Sequence, residues 1–156
     1  MDWARFLADA TARGVSAPYA HLSGAPLGPR SLRVAVGARG AISGMELCEQ
    51  TEFEAKLAPA EVEVQVVAVG LNFKDVLNLL GELPARFQDP LGDDCAAVVA
   101  DFGAGVDGVR RGDALFGWVT GCLCHFVRAR ADVRMLVHRP ASLSATEAST
   151  LPAVGV

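Results

Sequence analysis

Between residues 31 and 138 the apolar positions recur mostly with a period of two. Leu32, Val34 and Val36 alternate with Arg33 and Ala35, Gly37 to Gly40 form a turn, and Ile42–Cys48 reads as the return strand. The clearest alternation is Glu61–Val67, where Val62, Val64 and Val66 face one way and Glu61, Glu63 and Gln65 the other, the mark of a strand with one wet face. Cys95–Ala100, Ala114–Val119, Cys122–Arg128 and Met135–His138 read as further strands, with Gly103, Gly105, Gly108 and Gly112 in the turns. The period changes at Asn72–Leu80. Phe73, Val76, Leu77 and Leu80 fall at i, i+3, i+4 and i+7, which predicts one buried face of a short helix with Asn72 at its N-cap and Gly81 as its stop. Ser144-Ala145-Thr146-Glu147 is a capping box that opens a final helix. Closely spaced short strands with glycine turns predict a mainly β small barrel or sandwich with short helices.

Residues 1–28 differ. Ala4, Leu7, Ala8 and Ala12 share one face of a short helix that ends near Gly14, and Pro18 and Gly24-Ala25-Pro26-Leu27-Gly28-Pro29 read as a linker. The whole chain of 156 residues is long enough for one domain of ordinary size, and at 51% hydrophobic and 21% charged it has the composition of a globular protein. Its net charge of −4 and the lack of a basic stripe argue against a nucleic-acid partner. No apolar run is long enough for a membrane helix, and the start of the chain lacks the basic residues and apolar core of a signal peptide, so a cytoplasmic location is expected. Cys48, Cys95, Cys122 and Cys124 are then expected as reduced thiols.

Three strings invite chemistry. Gly70-Leu71-Asn72-Phe73-Lys74-Asp75 joins the clearest strand to the helix, a corner where a rigid frame presents side chains, though Asn72 and Asp75 also serve a plain helix start. Asp93-Asp94 places two carboxylates side by side, which suits acid–base work or a cation, but the favoured reading is a polar turn entering a strand. Cys122-Leu123-Cys124-His125 has one residue between its cysteines and lacks a matching second pair, so it reads as buried thiols rather than a zinc site. Gly103-Ala104-Gly105-Val106-Asp107-Gly108 satisfies GxGxxG literally. The next glycine, Gly112, comes too soon for the helix that a dinucleotide loop must open, so the string is a β-turn.

Val66-Val67-Ala68-Val69-Gly70-Leu71-Asn72-Phe73-Lys74-Asp75-Val76-Leu77, Leu91-Gly92-Asp93-Asp94-Cys95-Ala96-Ala97-Val98-Val99 and Gly112-Asp113-Ala114-Leu115-Phe116-Gly117 occur in that order. With Pro140 to Val154 they resemble the medium-chain dehydrogenase/reductase superfamily, and within it the enoyl reductase domains of type I polyketide synthases. The resemblance covers about residues 31 to 156. It implies a linker or the tail of a preceding domain over 1–28, a GroES-like, partly open substrate-binding barrel over 29–141, and over 142–156 the start of a helix leading to a Rossmann domain that this chain lacks. Met1 to Leu7 also looks a little like the close of a ketoreductase domain.

The implied activity is NADPH-dependent reduction of an α,β-unsaturated acyl thioester carried on the phosphopantetheine of an acyl carrier protein, beside neighbouring synthase domains. NADP would be bound mainly by the absent domain, which would also hold the catalytic acid. The implied substrate or cofactor cleft comprises Asn72, Phe73, Lys74, Asp75 and Leu83, where Leu83 replaces a tyrosine found in many relatives. Zinc-dependent relatives carry their ligands at the positions of Asn72, Asp93 and Asp94, so the zinc-free branch is implied and no metal is expected. Asp94 stands where Glu is usual and Ala97 where Gly is usual. Two other readings remain: a non-catalytic docking or structural barrel, and part of a quinone or alkenal reductase that acts on free small molecules.

Overall fold

The computed structural model describes residues 31–50, 56–88, 90–130 and 135–154. The expected short helix near the start and the linker over 1–28 lie outside the described residues. The strands are β1 (Leu32–Val36), β2 (Met45–Glu49), β3 (Glu61–Gly70), β4 (Asp94–Phe102), β5 (Ala114–Trp118), β6 (Phe126–Arg130) and β7 (Leu136–His138); the helices are α1 (Phe73–Leu80) and α2 (Ala145–Ala148). β1 and β2 form an antiparallel hairpin, and the other strands form an antiparallel sheet in the order β6-β3-β4-β5-β7. The hairpin is stitched to the loop before β6 by Val34 N–H to the Leu123 carbonyl and His125 N–H to the Leu32 carbonyl. This is the expected mainly β, partly open GroES-like barrel with short helices: β6 and β7 are edges of the larger sheet and do not pair with each other.

β3 begins as its alternation predicts, with Val62 and Val64 buried and Gln65 exposed. The pairing with β4 then shifts register between Glu63 and Val64 and again between Val66 and Ala68. Bulges of this kind add twist and re-aim side chains, which is why the alternation fades before the strand ends. β4 runs between β3 and β5 and is buried almost throughout its first half, as its run of small apolar residues requires. Val62, Val64, Ala97, Val99, Val106 and Leu115 make one core cluster, so the methyl of Ala97 is part of the packing. Cys95, Val119 and Cys122 make a second.

Four local expectations are corrected. Ile42–Gly44 is a 3-10 turn, with Gly44 N–H donating to the Ala41 carbonyl and Met45 N–H to the Ile42 carbonyl, and the return strand runs over Met45–Glu49. Cys122–His125 is a loop tied to β1, so that strand is Phe126–Arg130. The last strand begins at Leu136. The fourth concerns α1. Phe73 is 72%, Val76 43% and Leu80 37% exposed, while Asn78 and Leu79 are buried. The loop between β1 and β2 holds this opposite side: Arg39 donates to the main-chain and side-chain oxygens of Asn78, and Gly40 N–H to the Leu79 carbonyl. Burial here follows tertiary contacts rather than the width of the apolar stripe.

Gly103 to Gly108 turns without opening a helix, and Arg110 and Asp113 close the next turn on each other. The Ser144–Glu147 box forms as expected: Glu147 N–H donates to Ser144 Oγ at 3.2 Å, and Ser144 N–H and Oγ–H donate to Glu147 Oε2 at 2.9 and 2.7 Å.

Candidate functional site

β3 ends at Gly70, which lies opposite Asp94, the first residue of β4. The chain turns through Leu71 and Asn72 into α1, so the end of one strand, the start of a helix and the entry to a second strand meet at one corner. Asp75 ties the corner shut. Its Oδ2 accepts from Asn72 N–H at 3.0 Å and its Oδ1 from Gly92 N–H at 2.8 Å. Gly92 has φ +86°, a conformation that glycine adopts without strain, and its carbonyl accepts from Gly121 and Cys122. The entry to β4 is thereby laced to the loop over residues 119–123.

Asp93 and Asp94 follow, and both are buried, at 3% and 1% exposure. The segment does enter a strand at Asp94, as expected, with both carboxylates covered. Lys74 Nζ donates to Asp93 Oδ2 at 2.7 Å, with the lysine side chain about a third exposed. Asp94 Oδ2 accepts from Asn72 Nδ2 at 3.1 Å and from Ala153 N–H at 3.1 Å. The other oxygen of each carboxylate, Oδ1, is buried without a hydrogen-bond partner. Such a group carries a desolvation penalty of about 1–3 kcal/mol unless something meets it. Behind this layer lies Cys122. A hydrogen bond with Cys95, together with burial, pushes its thiol well above the usual range.

Of the residues singled out in the sequence, Asn72, Lys74 and Asp75 are therefore brought together. Phe73 sits among them with its ring in solvent. Leu83 is not part of this cluster. It lies beyond the far end of α1, about 12 Å of helix away, half-buried, with its carbonyl accepting from Gln88. The Asp93-Asp94 pair, also singled out in the sequence, and Ala153 complete the cluster. The aspartates had a signal: they sit between Leu91 and a run of small apolar residues, where a carboxylate must find a partner. Ala153 had none.

Asp93 is engaged by Lys74 and Asp94 by Asn72 and Ala153, and among the described residues no three His, Cys, Asp or Glu side chains converge to hold an ion. A half-buried carboxamide at Asn72, a cation at Lys74 and exposed apolar groups at Leu71 and Phe73 together suit an organic ligand with polar and apolar parts. Among the described residues no helix is long and apolar enough to cross a membrane.

Residues 58–145 match the family described as the alcohol dehydrogenase GroES-like domain. The spectinabilin polyketide synthase system protein NorB of Streptomyces orinoci is 38% identical over 148 residues, covering 95% of this chain and 6% of that protein. The crystal structure of CurK enoyl reductase superposes with a TM-score of 0.68 at 28% identity, over 78% of this chain and 39% of that one. Escherichia coli quinone oxidoreductase complexed with NADPH gives 0.65 at 26% identity, over 76% and 36%. The chain thus spans a small fraction of its polyketide synthase relative and well under half of these solved reductases. Its antiparallel sheet, its strand-to-helix corner and the match over 58–145 agree: the chain belongs to the GroES-like domain family of the alcohol dehydrogenases, within the medium-chain dehydrogenase/reductase superfamily, and is similar to the enoyl reductases of polyketide synthases.

Proposed function

We propose that this chain is the substrate-binding part of an NADPH-dependent enoyl reductase in polyketide synthesis, acting in the cytoplasm on an α,β-unsaturated acyl thioester carried by an acyl carrier protein. The observation that carries the reading is the likeness to CurK enoyl reductase over most of this chain, and the similarity to NorB supports it. On this reading residues 29–141 are the substrate barrel, 142–156 lead to the nucleotide-binding domain, and 1–28 are a linker or the tail of a preceding domain.

When bound, NADPH supplies the hydride for Cβ of the enoyl group. The residues here fit a supporting role. Asn72 presents a half-buried carboxamide, Leu71 and Phe73 would offer apolar contact to the acyl chain, and Lys74, paired with Asp93, would add positive charge at the same corner. The Gly103–Gly108 turn opens no helix, which supports the reading that it is not a phosphate loop and that the dinucleotide is held mainly by a neighbouring domain.

The test is reduction of crotonyl-pantetheine, free and loaded on an acyl carrier protein, by the native polypeptide that carries this chain. Saturated thioester formed with NADPH, faster from the carrier-bound form, is expected. Turnover of free quinones with no turnover of either thioester would replace this reading with the quinone reductase one, which the likeness to the E. coli enzyme favours. No turnover of any of these leaves the docking barrel as the better account.

A further inference from the structure

We propose that Asp94 is a positioning residue that acts as a one-oxygen latch, joining the side chain of Asn72 to the backbone of Ala153. Both donors use the same atom, Oδ2, each at 3.1 Å. They therefore sit within two hydrogen-bond lengths of each other. The corner that presents Asn72 and the segment over residues 149–153 keep one relative geometry because this oxygen holds both.

Three observations point to a latch that needs an acceptor rather than a charge. First, Oδ1 of Asp94 is buried and accepts no hydrogen bond among the described residues, so both bonds to the carboxylate fall on Oδ2. Second, the latch is tightly seated. Gly70, directly opposite Asp94, leaves space that the Ser149 carbonyl fills, and any Cβ at that glycine would run into this oxygen and crowd Asp94 Cβ at 3.2 Å. Third, Asp94 is 1% exposed. A longer acid would add a methylene where there is no room, and overpacking of that kind moves the neighbours. Ser149 is itself buried, so the neighbour that gives way is the stretch over 150–153, where Thr150 and Leu151 are exposed. An aspartate at this position holds that segment closer to Asn72 than a glutamate would.

The latch makes an unusual ordering of variants. Asp94→Asn can place its carbonyl oxygen where Oδ2 sits and its NH2 where the partnerless Oδ1 sits, so both hydrogen bonds survive. Asp94→Ala loses both. Asp94→Glu keeps the charge but displaces the segment. A carboxylate held for its charge, or for a donor or cation that binds Oδ1, gives the opposite order, with Glu mild and Asn as damaging as Ala.

The measurement is amide hydrogen exchange by NMR on the full chain, followed at Ala153 N–H and at the Asn72 side-chain amide. Exchange at Ala153 is expected about tenfold faster in Asp94→Ala, the factor set by one hydrogen bond of ordinary net strength. It is expected faster in Asp94→Glu and within about twofold of the parent in Asp94→Asn. Unchanged exchange in Asp94→Ala, or Asn behaving like Ala, overturns the proposal. Should Asp94→Ala fail to fold, the contrast between Asn and Glu decides it alone. A kinetic arm rests on the enoyl reductase reading: in the native polypeptide Asp94→Ala should lower kcat about tenfold with KM little changed, as a misplaced group does, and Asp94→Asn should restore it. If the parent does not reduce an enoyl thioester, that reading fails while the exchange order still decides the latch. If kcat is untouched in an active enzyme whose exchange follows the expected order, the latch holds the segment but its positioning role falls.

Discussion

β3 and β4 run side by side through two different environments. Toward the start of β3 and the end of β4, Val62, Val64, Val99 and Leu115 pack into a dry core. At the other end of the same pair, the buried Gly70, Asp93 and Asp94 meet the half-buried Asn72 and Lys74 through hydrogen bonds and an ion pair. The core end is held by shape and volume, so any apolar side chain that fills the space serves. The corner is held by matched partners, and a single deletion strands the survivor. The first arrangement makes a stable frame, and the second fixes the direction in which a few side chains point.

The largest effect is expected where volume is lost. Leu115→Ala should lower unfolding free energy by about 2–5 kcal/mol in urea titrations; a loss under about 1 kcal/mol would mean that the core end collapses around the gap. At the corner, Lys74→Met leaves Asp93 buried without that cation and should cost about 1–3 kcal/mol, discounted because the lysine is partly exposed. Adding Asp93→Leu to that variant should recover most of the loss, since an apolar pair of similar volume replaces a buried ion pair well. Additive losses in this cycle would show that the two residues act separately.

The outer stripe of α1 offers a smaller effect on stability. Phe73→Ser and Val76→Ser should each change it by less than about 0.5 kcal/mol, because both side chains are already in solvent. If these residues line the substrate cleft, the same variants should raise KM for an enoyl thioester while melting stays where it was. The smallest effect belongs to Glu147. Its hydrogen bonds from Ser144 hold its carboxyl below the usual range. A lowered folded-state value means that the contribution is present above the unfolded value and is lost as pH falls through the folded one. Amide protection at the start of α2 should therefore decline only under acid, and a decline near neutrality would contradict the cap.

Much of the fold was legible because strand periodicity is local. Val62 and Val64 mark the buried face of β3 with no knowledge of β4, and Ser144 with Glu147 marks a helix start within four residues. Reading failed where a distant segment decided the outcome. The stripe of Phe73, Val76 and Leu80 looked like a buried face, but Arg39 and Gly40 from another loop hold the opposite side of the helix. Asp93 and Asp94 read only as a polar turn entering a strand because their partners, Lys74, Asn72 and Ala153, lie 19, 22 and 59 residues away.

By itself the sequence determined the class of fold, the places of most strands along the chain, the corner that holds Asn72, Lys74 and Asp75, and a family likeness that names a candidate reaction. The tertiary structure alone decided which face of α1 is covered, that both aspartates are buried, and that Ala153 reaches the corner. The reason is physical. Periodicity and capping act over a few residues and leave a local trace. The burial of a polar group is settled by whichever donor the folded chain brings to it, and nothing in the neighbouring residues records that donor.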